Sequence, residues 1–223
     1  MGVALAAAVF LLGCVPLFAQ ARTAERERSA TPKSAATALP PQVENSDVGF
    51  SYKLPADWQF VALPPVPPAP VPFPGIVGAK KGDACVEVVL TARHGAPASA
   101  VVVTALPFAC YGQTMQPGDL AKLGAGAAEG LKQTFDIANP VEGNYTLGSH
   151  AVWIERARGT PKGRPGDSFI FETACTILAK GAVCWTAMAA DPASLHAFEK
   201  APVTLEGERF GALVPASAFV SKS

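Results

Sequence analysis

The stretch from Phe169 to Trp185 constrains the fold most. Two runs rich in apolar and β-branched residues flank Ala179-Lys180-Gly181, with Cys175 before the turn and Cys184 after it. This is the pattern of a β-hairpin. A two-residue turn at Ala179-Lys180 sets Cys175 opposite Cys184 in a non-hydrogen-bonded pair, where Cβ atoms lie closest and a cross-strand disulfide fits. A three-residue turn with left-handed Gly181 has the better local chemistry, but it slips the register and sends the two sulfurs to opposite faces. Both turns are open to the sequence, and the choice decides which side chains enter the core.

Whether the cysteines can be oxidised depends on compartment. Met1 to Ala21 carries no charged side chain, has an apolar run from Val3 to Leu12, and ends in the small-x-small triplet Ala19-Gln20-Ala21. These are the marks of a secretory signal cut after Ala21. Leu11-Leu12-Gly13-Cys14 also resembles a lipobox, so a lipid anchor on Cys14 and an uncleaved signal are the alternatives. Export makes two disulfides the natural reading of Cys85, Cys110, Cys175 and Cys184, with three pairings possible and buried free thiols as the alternative. If Cys175 joins Cys184, then Cys85 joins Cys110. None of the cysteines forms a CxxC, and His94, His150 and His196 stand at no metal-ligand spacing, so no metal is expected.

Residues 22–46 mix small, charged and proline residues without periodicity and read as a flexible tether, leaving 47–223 as a single domain. Strands are expected over Val48–Leu54 and Trp58–Leu63, followed by a stiff proline-rich loop over 63–74. Cys85–Thr91 and Ala100–Leu106 read as a central antiparallel hairpin. Pro117 opens a predicted helix running through Phe135, with Leu120, Leu123, Ala127, Leu131 and Phe135 on one stripe. Gly124, Gly126 and Gly130 lie within it and suit close approach of helix to sheet. A strand over Ala151–Ala157, the cysteine hairpin, and a short helix capped by Asp191 complete the order. The fold class is α+β: an antiparallel β-sheet with helices packed on its faces.

Charge narrows the function classes. The chain has 18 Lys and Arg against 18 Asp and Glu, and only 16% of its residues are charged, against a usual share of about 25%. No basic surplus exists to release counterions from a phosphate backbone, so nucleic acid is not an expected partner. No GxSxG elbow or nucleophile–base pair is visible, and no catalytic residue is assigned. Glu87, Glu155 and Glu172 each interrupt an apolar strand. Two of them facing across a cleft would suit glycoside hydrolysis; otherwise they are solvated or paired with arginines. Trp58, Trp153 and Trp185 would serve either as core plugs or as a platform for sugar or peptide. Trp153, Glu155, Arg158 and Glu172 form the candidate ligand groove. Asn144-Tyr-Thr146 matches an N-glycosylation acceptor, relevant only in a eukaryotic secretory pathway.

Phe50-Ser-Tyr-Lys-Leu-Pro-Ala-Asp-Trp58 is similar to the opening strand-turn-Trp of PsbP/Mog-like domains, and the element order resembles that fold. Thr91-Ala-Arg-His-Gly95, Gly130-Leu-Lys-Gln133, Trp153-Ile-Glu-Arg156, Gly159-Thr-Pro-Lys-Gly163 and Gly181-Ala-Val-Cys-Trp185 resemble a group of uncharacterised exported bacterial proteins. The resemblance spans about residues 47 to 220, and the prolines from Pro64 depart from it. It implies a binding or assembly factor of unknown protein or small-ligand partner, without a cofactor. The expectation is therefore an exported, periplasmic or secreted, non-enzymatic binding domain of the cell envelope. A small secreted hydrolase using the strand carboxylates is the alternative.

Overall fold

The computed structural model describes residues 42–61, 85–95, 98–215 and 218. The signal segment, Cys14, most of the tether and the proline-rich loop lie outside the described residues. Among the described residues, eleven strands form two antiparallel sheets. The larger sheet has seven: β3 (Gln59–Phe60), β4 (Glu87–His94), β5 (Ser99–Pro107), β6 (Phe135–Leu147), β7 (His150–Pro161), β8 (Phe169–Ile177) and β9 (Gly181–Ala189). Their spatial order is β3-β4-β5-β9-β8-β7-β6. The smaller sheet has the order β1-β2-β10-β11 and is built from β1 (Gln42–Asn45), β2 (Phe50–Lys53), β10 (Val203–Leu205) and β11 (Glu208–Phe210). The helices are α1 (Phe108–Tyr111), α2 (Leu120–Glu129) and α3 (Pro192–Glu199). The antiparallel α+β class expected from the sequence is the one observed.

The cysteine hairpin takes the two-residue turn. Leu178 N–H donates to Gly181 O at 2.8 Å, Ile177 pairs with Ala182, and Cys175 pairs with Cys184. The Cα atoms of Cys175 and Cys184 are 4.2 Å apart and the sulfurs are bonded; Cys85 is bonded to Cys110. Local turn chemistry favoured a left-handed Gly181, but tertiary packing decides. A Cβ on Gly181 would strike the Val48 side chain and lie 2.7 Å from the Leu106 carbonyl oxygen. The glycine serves close packing, and the turn is held from outside by Glu206 Oε1, which accepts from Ala179 N–H at 2.7 Å.

With that register, alternate residues divide cleanly between the faces of the large sheet. Val101, Val103, Val183, Trp185, Ala187, Ala174, Val152 and Ile154 face the small sheet and α3, where Phe50, Tyr52, Val203, Leu205, Leu195 and Phe198 complete the main core. The opposite face carries Leu106, Ala182, Cys184, Cys175 and Trp153, covered by α2 through Leu120, Leu123 and Ala128. Leu131, Phe135, Phe171 and Met188 close the far end, with Phe135 and Phe171 edge to face at 4.7 Å.

Three expectations need correction. The tether expected over 22–46 ends earlier: Gln42–Asn45 pairs with β2 from Gln42↔Lys53 to Asn45↔Phe50, so the described strands start before Asp47. The helix expected from Pro117 to Phe135 is a 3₁₀ turn at Pro117–Asp119, then α2, then a second 3₁₀ turn at Gly130–Gln133. Phe135 instead begins β6, because its ring is needed against Phe171 and its backbone pairs with Pro161. Of the strand expected over Trp58–Leu63, Gln59–Phe60 is a strand at the sheet edge while Trp58 and Val61 lie outside it; residues 62–63 are not among the described residues.

Gly124 is where α2 meets the sheet: a Cβ there would overlap the Trp153 ring, so the ring or the helix would have to shift. Gly124→Ala should therefore lower stability by about 1–3 kcal/mol through overpacking. Helix propensity alone would favour alanine by about 1 kcal/mol, so the sign of the shift in the urea midpoint checks the contact.

Candidate functional site

The four residues of the expected groove do not meet. Trp153 and Glu155 share the face under α2, where Trp153 is 1% exposed. Glu172 and Arg158 belong to the other face, Glu172 fully buried and Arg158 exposed. A strand alternates faces at every residue, so only residues of one parity, or register partners, line a common surface. Glu87 sits exposed at the start of β4 opposite Ala105, far across the sheet from Glu155. No two of the three strand carboxylates face each other. Trp58, Trp153 and Trp185 are all buried, so the tryptophans plug the core; Trp58 stacks on His94 at 6.3 Å. Asn144 lies exposed on the edge strand β6, opposite Trp153.

What the inner face does assemble is an ion network. Arg156 on β7 stands directly across from Glu172 on β8, and its Nε donates to Glu172 Oε2 at 2.6 Å. The Arg156 guanidinium also pairs through Nη2 with Glu199 Oε1 on α3. Glu199 Oε2 lies 3.0 Å from His196 Nδ1. One guanidinium thus joins two strands to a helix. Glu172 Oε1, Tyr52 Oη and Trp185 Nε1 are buried on this side without hydrogen-bond partners. Tyr145 Oη donates to Leu213 O at 2.7 Å, holding the C-terminal segment over the same core.

Burial dominates the electrostatics. Loss of solvent pushes the Glu172 carboxyl up to about 7, against the opposing pull of the Arg156 hydrogen bond and charge. Glu155 is also raised, by burial first and then by Glu142, its direct cross-strand partner; Lys132 acts the other way. Like charges opposed across a ladder destabilise each other. Among the described residues no group of three or more His, Cys, Asp or Glu is arranged to hold a metal ion.

A second feature lies on the outer face of the small sheet, where sequence reasoning assigned no site. A groove of about 350 Å³ is lined by Glu44, Ser51, Lys53, Thr204 and Arg209, with Gly207 at its end. The available signal was the alternation of Val203-Thr204-Leu205 and Glu208-Arg209-Phe210 around Glu206-Gly207. Both turn residues adopt positive φ, 49° and 87°, as a tight hairpin requires.

No family model matches the chain, and no curated protein matches it. Among solved structures, the backbone is similar to that of cyanobacterial PsbP (CyanoP) from Synechocystis sp. PCC 6803. The TM-score is 0.39 at 9% identity, over 73% of this chain and 87% of that one.

The ion network predicts a pH dependence. Folded Glu172 holds its proton more tightly than its ordinary 4.5, so folding takes up a proton between that value and about 7. Its contribution to stability is complete below 4.5 and is lost as pH rises through 7; Glu155 adds in the same direction. The urea midpoint should fall from pH 5 to pH 8 in the wild type and fall less in Glu172→Gln. In Arg156→Met it should fall more steeply, because an unpaired buried carboxylate costs about 3–5 kcal/mol. Equal pH slopes in all three proteins would contradict the assignment.

Proposed function

We propose that this chain is an exported binding or assembly domain of the bacterial cell envelope and that it performs no hydrolysis with its strand carboxylates. The observation that carries the reading is how the charged groups are spent. Glu172 and Glu199 share the Arg156 guanidinium between β7, β8 and α3, and Glu155 lies on the opposite face. A two-carboxylate mechanism needs both groups on one cleft at about 5–10 Å with room for substrate. The geometry here provides neither the shared cleft nor the room.

Export is supported by the two disulfides, Cys85–Cys110 and Cys175–Cys184, since such bonds form and persist in oxidising compartments. The apolar segment ending at Ala21 points the same way. The resemblance of the Phe50–Trp58 motif to PsbP/Mog-like domains agrees with a binding role, and that of the shorter motifs to uncharacterised exported bacterial proteins agrees with export.

Fractionation of the native host should place the protein outside the cytoplasm, with residues 1–21 removed or Cys14 lipidated. A purely cytoplasmic, full-length protein would contradict the reading. Any hydrolytic activity of the purified domain should persist in a Glu87→Gln, Glu155→Gln, Glu172→Gln triple variant, and its loss there would restore the hydrolase alternative.

A further inference from the structure

We infer that the outer groove of the small sheet is a binding site for a short zwitterionic chain, a peptide with a free ammonium and a free carboxylate. The inference rests on the binding reading above and gives it a place and a ligand class. Pairing of the small sheet sets one straight row across all four strands: Glu44 opposite Ser51, Ser51 opposite Thr204, Thr204 opposite Arg209. These side chains project to the same side, away from the core residues Tyr52, Val203 and Leu205. Lys53 stands two residues beyond Ser51 on the same face, between Gln42 of β1 and Pro202, one strand from Glu44 and two from Arg209.

The row is polarised. An acid stands at one end, a guanidinium at the other and two hydroxyls between, spanning three strand spacings or about 14 Å. The charges are also available. Gln42 Nε2 donates to Glu44 Oε1 at 2.8 Å, which orients that carboxylate and leaves Oε2 without a partner among the described residues. Lys53 and Arg209 take part in no ion pair among the described residues. The forked guanidinium of Arg209 is a donor set that grips a carboxylate. A carboxylate steadied by an amide is the acceptor set for an ammonium. Ser51 and Thr204, half-buried on the floor, both donate and accept, as the peptide groups of a ligand require. The groove volume falls within the range of about 300–1,000 Å³ usual for small-ligand sites. Ligand charge complementarity, rather than apolar burial, would supply both affinity and orientation.

The test is a titration of the disulfide-bonded ¹⁵N-labelled protein with triglycine, alongside N-acetyl-triglycine and triglycine amide. Saturable amide shifts should centre on Ser51, Thr204 and Arg209. Affinity should drop about tenfold or more in Arg209→Ala and in Glu44→Gln, the scale of one charge-assisted hydrogen bond. Each blocked peptide should lose affinity similarly, the acetylated one becoming insensitive to Glu44→Gln. These residues lie at the rim, so unchanged thermal unfolding of the variants checks that the fold is kept. Absence of saturable shifts, or equal binding of the free and acetylated peptides, would overturn the inference. An exported protein that binds no peptide loses only this inference, whereas a protein confined to the cytoplasm loses the broader reading.

Discussion

The register of the β8–β9 hairpin is the constraint on which the rest of the structure depends. Its two-residue turn places Cys175 against Cys184 and thereby assigns every side chain of the two central strands to a face. Trp185 goes inward, where Phe50 meets it edge to face at 5.9 Å and Tyr52 lies at 6.5 Å. Glu172 goes inward too, and that obliges Arg156 to follow it. A slip of one residue would turn one strand over against the other, sending either Trp185 or Glu172 to the α2 face and the two sulfurs to opposite faces. Four contacts oppose such a slip: the disulfide, the fit of Gly181 against Val48 and Leu106, the Glu206 clasp on Ala179, and the bond from Phe108 N–H to Lys180 O at 2.9 Å.

Glu206 extends this control beyond the hairpin. Its own N–H donates to Gly49 O at 2.7 Å, its carboxylate holds Ala179, and it lies 3.8 Å from His150 Nδ1. The turns that follow β1, β6, β8 and β10 are therefore tied at one end of the molecule by a single residue in left-handed conformation. This ties the small sheet to the large one. The outer groove lies across β2, β10 and β11, and Glu206 sits in the turn that joins β10 to β11, so turn chemistry at one end of the fold helps position the candidate ligand site.

Much of the fold was legible because its strongest signals are local. The Asp191 cap is one: its side chain accepts from Ser194 N–H at 3.0 Å at the start of α3. The β4–β5 hairpin and the cysteine hairpin announce themselves by β-branched runs. The strand β6 does not. Among the described residues it is an edge strand with a single neighbour, its residues are mostly exposed, and the Asn139-Pro140 irregularity interrupts its pairing between Ala138 and Val141. An edge facing solvent needs no apolar alternation, so periodicity has nothing to detect.

The candidate site was less legible for the same reason that it is physical. Glu172 stood out as a charge within an apolar strand, but whether it meets Glu155 or Arg156 depends on face and register. Those are properties of pairing rather than of composition. The small-sheet groove joins residues near 42–53 with residues near 202–210, a separation no local pattern reports. Its outward residues are ordinary polar ones until β2 and β10 are brought together. Non-reducing peptide mapping of the purified protein tests the central claim of hairpin register most directly. Cys175–Cys184 and Cys85–Cys110 should appear as the two linked peptide pairs; any crossed pairing, or four alkylatable thiols, would contradict the register and the face assignments that follow from it.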